Sequence, residues 1–166
     1  MGFAAIGATP VDRAAFGVGG RVEALLRISG QWSLRIGIGA RRATIAELPG
    51  HDYEGALSGG VEWCPAALSF GRTASLGLRA DAIALRHDVR GTVIPGQPEQ
   101  HVRYLPATDL LAQLAVRVAR RLEIVAAGGV EAALGSTAVR TGETPVTVAT
   151  IPALRLTAEA GLRVEF

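Results

Sequence analysis

The sequence predicts an all-β chain, an eight-stranded antiparallel up-and-down β-barrel that crosses a membrane. Three observations predict it. First, eight stretches alternate between apolar and polar residues with a period of two, the pattern of strands with unlike faces. Second, the connections between them run longer, short, long, short, long, short, long, as in a barrel with tight turns at one rim and loops at the other. Third, the chain is 49% hydrophobic yet only 5% aromatic, whereas a water-soluble domain this apolar is expected to fill its core with more rings. No apolar run approaches the roughly 18 residues of a membrane helix, so any span must be made of strands. A length of 166 residues suits one domain over 1–166.

The elements follow in order. Met1 to Thr9 holds small apolar residues, and Pro10, Val11, Asp12 and Arg13 break the run into a loop, with the facing of this first strand open. Phe16 to Ile28 sets Val18, Val22, Ala24 and Leu26 on one face and Arg21, Glu23 and Arg27 on the other. Ser29, Gly30 and Gln31 turn tightly into Trp32 to Arg41, where Leu34, Ile36 and Ile38 alternate with Arg35, Gly37 and Gly39, completing a hairpin. Thr44 to Ala56, with Pro49, Gly50, His51, Asp52, Tyr53 and Glu54, is expected to be a polar loop. Leu57 to Leu68 returns to alternation, with Val61 and Trp63 opposite Glu62 and Cys64; Pro65 removes a ladder donor and marks a bulge or the end of good pairing.

Phe70, Gly71 and Arg72 form a second short turn into Ala74 to Leu85, where Leu76, Leu78 and Ala80 oppose Arg79 and Asp81. His87 to Thr108, with Pro95, Gly96, Pro98 and Pro106, is expected to be the longest loop. Leu110 to Val118 alternates next, Arg120 and Arg121 make a third short turn, and Leu122 to Leu134 sets Ile124 and Val130 against Glu123 and Glu131. Gly135 to Ile151 is expected to be a loop. The last stretch, Leu154 to Phe166, is the clearest: Leu154, Leu156, Leu162, Val164 and Phe166 share a face, and Arg155, Glu159, Arg163 and Glu165 share the other. Its length suits a tilted membrane strand, about nine to eleven residues, better than a common globular strand of about five or six. Ala, Leu, Arg and Glu also favour helix, but strict alternation and glycines inside the runs argue for strands.

Periodicity alone does not say which face is wet. The apolar faces are long and nearly unbroken, as a lipid belt requires. The polar faces mix single charges with Gly, Ala and Ser, which suits a narrow lumen. There Arg21, Arg35, Arg79, Arg117, Arg155 and Arg163 can pair with Glu23, Glu62, Asp81, Glu123, Glu131 and Glu159. Trp32 and Trp63 lie near strand ends, where interfacial aromatics are expected. Eight strands leave an interior just wide enough for side chains to fill, so the expectation is a plugged lumen and not a pore.

The C-terminal pattern Gly161, Val164 and terminal Phe166 resembles the signal by which bacterial outer-membrane barrels are recognised for insertion. With eight strands and alternating turn lengths, the chain resembles small outer-membrane barrels of the OmpA/OmpX type. Its glycine- and arginine-rich, lysine-free style is also similar to barrels coded in GC-rich myxobacterial genomes. The resemblance covers the chain as architecture and the last strand as motif, and departs from the type in its sparse aromatic girdles and in Pro65. It implies residence in the bacterial outer membrane, with lipids and the barrel-insertion machinery as partners. No signal peptide is visible at Met1, as expected of the mature form of an exported chain.

The function that follows is a structural barrel or one whose loops mediate surface interaction, with an unspecified loop ligand. A soluble lipocalin-like barrel binding a small apolar ligand is the alternative; it needs the Leu, Val and Ala faces inward. An enzymatic role is disfavoured, because His51, His87 and His101 all fall in predicted loops and none sits two residues from a strand serine. No catalytic residue, cofactor or metal site is therefore expected. The 17 basic residues, all arginine, are scattered among 15 acidic ones, which gives no nucleic-acid footprint. The single Cys64 has no disulfide partner and is expected to be a small buried or lipid-facing residue.

Overall fold

The computed structural model describes residues 2–10, 15–45, 50–71, 73–94, 97–135, 137–141, 146–151 and 153–164. Eleven strands are formed: β1 Gly2–Pro10, β2 Ala15–Arg27, β3 Trp32–Ile45, β4 Gly50–Trp63, β5 Ser69–Phe70, β6 Ala74–Ile94, β7 Gln97–Ala119, β8 Leu122–Ala133, β9 Thr137–Thr141, β10 Val146–Ile151 and β11 Leu154–Val164. Eight of them make one antiparallel sheet in the order β4-β3-β2-β1-β11-β8-β7-β6, and β4 also pairs with β6. That last pairing runs from Gly50↔Gly91 to Trp63↔Leu78 and closes the sheet on itself. β5 is a two-residue strand that pairs antiparallel with the start of β6, and β9 and β10 pair separately with each other.

The fold is thus an eight-stranded up-and-down barrel. β1 lies between β2 and β11, so the first and last strands meet, with Gly2 opposite Arg163. Both strand ends stand at the rim of the short turns. One of these is built by Ser29, whose hydroxyl accepts from the Gln31 and Trp32 amides at 3.3 and 3.2 Å. Another is Arg120–Arg121, with Ala119 opposite Leu122. The third is longer: β4 ends at Trp63, Pro65 starts the one-turn 3-10 helix Ala66–Leu68, and Gly71 takes a φ of +65°. Pro65 therefore ends the pairing, as its missing donor requires.

The expected loops are largely strands. β3 and β4 run to Ile45 and from Gly50 inside the loop expected at Thr44–Ala56, and β6 and β7 turn into each other within His87–Thr108. β9 and β10 occupy much of Gly135–Ile151. The reason is that alternation continues where apolar content does not. Asp52 and Glu54 point inward and are buried, while Tyr53 between them is exposed. Pro106 fits inside β7 because its carbonyl accepts from Leu134 N–H at 2.8 Å where β8 ends, so its missing donor falls at the last position of that ladder.

The faces are inverted relative to a soluble barrel. Leu26, Ile36 and Ile38 are 60–67% exposed on the outer wall, while Arg21, Arg35 and Arg79 are buried inside. This corrects the lipocalin-like alternative, whose ligand cavity requires the apolar faces inward. An inner apolar patch exists, Ile83, Leu85, Leu105, Ala107 and Ala133, but it lies on the wall of β6–β8, with Ala56 of β4 packed against it.

Glycines make room for the inner charges. A Cβ on Gly60 would stand 2.1 Å from the Ala80 carbonyl oxygen and 2.3 Å from Asp81 Oδ1, and one on Gly39 would stand 3.3 Å from Arg21 Cβ. Gly60→Val should therefore lower stability in detergent by about 1–3 kcal/mol, the range for overpacking. Gly59→Ala, whose Cβ meets nothing nearer than 3.8 Å, should be neutral within about 0.5 kcal/mol. Urea unfolding of both variants in micelles measures the difference, and equal midpoints would refute it.

Candidate functional site: the lumen and its two mouths

Inward residues from different strands meet across the lumen in three tiers, each centred on a glutamate held by two arginines. In the tier nearest the short turns, Glu62 of β4 accepts from Arg35 of β3 at 2.5 Å and from Arg163 of β11 at 2.9 Å. Gln113 of β7 donates to the same carboxylate at 2.9 Å, and Arg35 also pairs with Glu23. Arg163 reaches Glu123 at 3.6 Å, which in turn accepts from Arg117 at 2.9 Å.

In the middle tier Glu159 of β11 accepts from Arg21 and from Arg79, each at 2.6 Å. Arg79, 1% exposed, also donates to Asp81 at 2.7 Å and approaches Asp109 at 3.4 Å. In the third tier Glu54 is shared by Arg41 and Arg155. Glu131 is 2.6 Å from Arg41 and 3.6 Å from Arg155. His87 donates or accepts at Nδ1 with Asp52 at 2.8 Å, and its Nε2 lies 3.5 Å from Arg155.

The twelve lumen residues picked out by alternation thus face inward, with Arg117 the exposed one at the rim. Arg41, Asp52, Glu54, His87, Asp109 and Gln113 join them and were not picked out. Four of these lie in stretches expected to be loops or at their edge; Asp109 and Gln113 lie in or beside a stretch whose charged face is sparse. Gly161 and Val164 lie on β11, whereas Phe166 and Glu165 lie outside the described residues. Trp32 and Trp63 are register partners, with ring centroids 6.1 Å apart, and stand at the short-turn end of their strands. His51 and His87 are on strands, not loops. The side chain of His101 lies outside the described residues.

Asp52, Glu54 and His87 offer three ligand atoms within 4.8 Å of one another, a grouping the sequence spacing did not suggest. Glu54 is already engaged by two guanidinium groups, whose charges compete with a metal ion for its oxygens.

The lumen is widest at the short turns. At the short-turn rim a cavity of about 570 Å³ opens between Arg27, Ser75, Cys64, Arg117 and Arg163. Deeper among the tiers, two voids measure about 10 and about 30 Å³, room for about one water each. Cys64 faces the cavity, half-buried, and its Sγ lies 3.5 Å from Glu62 Oε1. It is neither lipid-facing nor deep in the core, because strand pairing has ended one residue earlier.

The chain shares the fold of small outer-membrane β-barrels. Neisserial surface protein A (NspA) superposes with a TM-score of 0.63 at 16% identity, over 99% of this chain and 94% of that one. Ail, the attachment invasion locus protein of Yersinia pestis, gives 0.56 at 14% identity, again over 99% and 94%. No protein-family model matches the sequence, and no curated protein matches it. The likeness is therefore one of backbone architecture.

Two outcomes are expected. Arg79→Met leaves Asp81, Asp109 and Glu159 to share Arg21 alone among the described cations within 4 Å of all three, and breaking such a buried set costs about 3–5 kcal/mol; unfolding in micelles should show it, and a loss under about 1 kcal/mol would contradict the network. Burial, then the Glu62 charge, pushes the Cys64 thiol up to about 11. The neutral thiol therefore persists below that pH. Iodoacetamide should alkylate Cys64 at least about tenfold more slowly at pH 8 than free cysteine, whose pKa is about 8.5, with the rate climbing toward pH 11. A free-cysteine rate at pH 8 would remove that reading of its surroundings.

Proposed function

We propose that the chain is an integral protein of the bacterial outer membrane, with a side-chain-filled lumen that does not conduct and a structural or surface-interaction role carried by the rim opposite the short turns. The observation behind this is the inverted barrel. Isoleucines and leucines cover the outside, while paired charges fill the inside. Water cannot be the solvent for such an outer wall, and lipid can.

The long strands support the interaction role. β6 and β7, of 21 and 23 residues, exceed the nine to eleven or so that a bilayer needs. Their surplus stands beyond the membrane as a hairpin, where recognition by a rigid scaffold is common. We read the chain as non-enzymatic: both ring nitrogens of His87 face lumen partners, and Ser58, on the same inner wall, has its hydroxyl on the Gly37 carbonyl at 3.4 Å.

Refolding with and without detergent, followed by electrophoresis of unheated and boiled samples, tests the membrane reading. A compact band that requires detergent and shifts on boiling is expected, and folding in plain buffer would overturn it. Reconstituted in planar bilayers, the same protein should show no discrete conductance steps; reproducible channels would refute the filled lumen.

A further inference from the structure

Beyond the belt of apolar residues, the outer wall of β3, β4, β6 and β7 changes character within one row. From Trp63 to Tyr53 along β4 is on the order of 33 Å of strand, or about 25 Å along the axis of a barrel whose strands tilt about 40°. That is the height of an apolar membrane band. The same span on β3 leads from Trp32 to Arg42. Trp32 and Trp63 therefore mark one membrane edge, and Arg42 and Tyr53, which are register partners, mark the other.

Two arginines point outward at this second edge. Arg42 is exposed, stacks its guanidinium 5.7 Å over the Tyr53 ring, and contacts His51 Nε2. Arg86 on β6 is opposite Tyr104 of β7 and diagonal to Tyr53, since Gly55 pairs with Arg86 and Tyr53 with Asp88. Its side chain is 44% exposed and touches Asp88 at 3.3 Å, and Asp88 itself is buried. Asp88 thus pairs with Arg86, whereas Arg42 rests on the Tyr53 ring and His51. Below them, past the row of Ala40 and Gly55, lie Ile38 and Leu57, exposed register partners on the lipid-facing wall.

An arginine on a lipid-facing wall needs an anion at the level of the headgroups, because hydrocarbon leaves its charge unsolvated. A phosphate offers the acceptor geometry that the guanidinium fork matches. We infer that Arg42 and Arg86, framed by Tyr53 and Tyr104, bind the phosphate of an outer-leaflet lipid whose acyl chains lie against Ile38 and Leu57. This rests on the membrane-barrel reading above and adds to it the partner's headgroup chemistry and the residues that hold it.

The probe is bisphosphorylated lipid A, compared with the same lipid after removal of its phosphates. Binding to the detergent-folded protein is followed by native mass spectrometry, with the heat-shifted band as a check of folding. The unaltered protein should bind the phosphorylated lipid at least about tenfold more tightly, as expected for charge-assisted bonds, and the advantage should shrink with salt. Arg42→Gln with Arg86→Gln should abolish most of it, and Arg120→Gln with Arg121→Gln at the opposite rim should not. Equal binding of the two lipids by protein that folds only in detergent would overturn this inference and leave the membrane reading standing. Folding without detergent would overturn both. Because the lipid comparison uses the unaltered chain, a misfolded variant does not blunt it.

Discussion

The structure depends on one constraint: charges turned inward in a narrow barrel must be satisfied by one another. A ring of eight strands leaves an interior about wide enough for side chains alone, so the charges inside find their partners in one another. The response is repeated three times. Glu62, Glu159 and Glu54 each take two arginines, and in each tier the partners come from different strands. Glu159, for example, joins Arg21 of β2 to Arg79 of β6, strands that share no ladder. The charges thus do cross-bracing that hydrogen bonds between neighbouring strands cannot.

That arrangement explains the choice of cation and the placement of small residues together. Arginine keeps its charge when buried and presents donors in a fork, so one side chain can serve two carboxylates; a lysine ammonium on a flexible stem is less suited to it. Arg79 shows this, with its Nε on Asp81 and a terminal nitrogen on Glu159. A guanidinium is wide, however, and the lumen is not. Glycine across the ladder supplies the width: Gly39 opposite Arg21, Gly37 opposite Glu23 and Gly60 opposite Arg35. The glycines that weaken these strands locally are what permit their inner faces to pack.

These relations also decide how much was legible beforehand. Where one face is apolar and the other charged, alternation identifies strand and facing together, as in Leu154–Val164 or Trp32–Arg41. Past the apolar belt both faces become polar and that contrast disappears, so His51–Glu54 resembles a loop although it continues β4. Its signal survives only as parity, with Asp52 and Glu54 inward and in step with Ser58 and Glu62. The neighbourhood of His87 was hidden for a further reason. It brings Asp52 and Glu54 of β4 and Arg155 of β11 to His87 of β6, and local spacing carries no record of register between separate strands.

The same reasoning separates the work of the inner and outer walls. Inside, every tier ties its arginines to carboxylates, so those cations are committed to the barrel. Outside, the wall is apolar from the Trp32–Trp63 pair up to Ile38 and Leu57, and then presents Arg42, and Arg86 with Asp88 beside it. Were these outer arginines only braces, the inner pattern of two acids or more around each would be expected; Arg79 has three. Arg42 instead leans on an aromatic face and an imidazole, partners that orient a guanidinium without cancelling its charge. A cation oriented but not neutralised, at the level where lipid headgroups begin, is arranged to meet an anion from outside the chain.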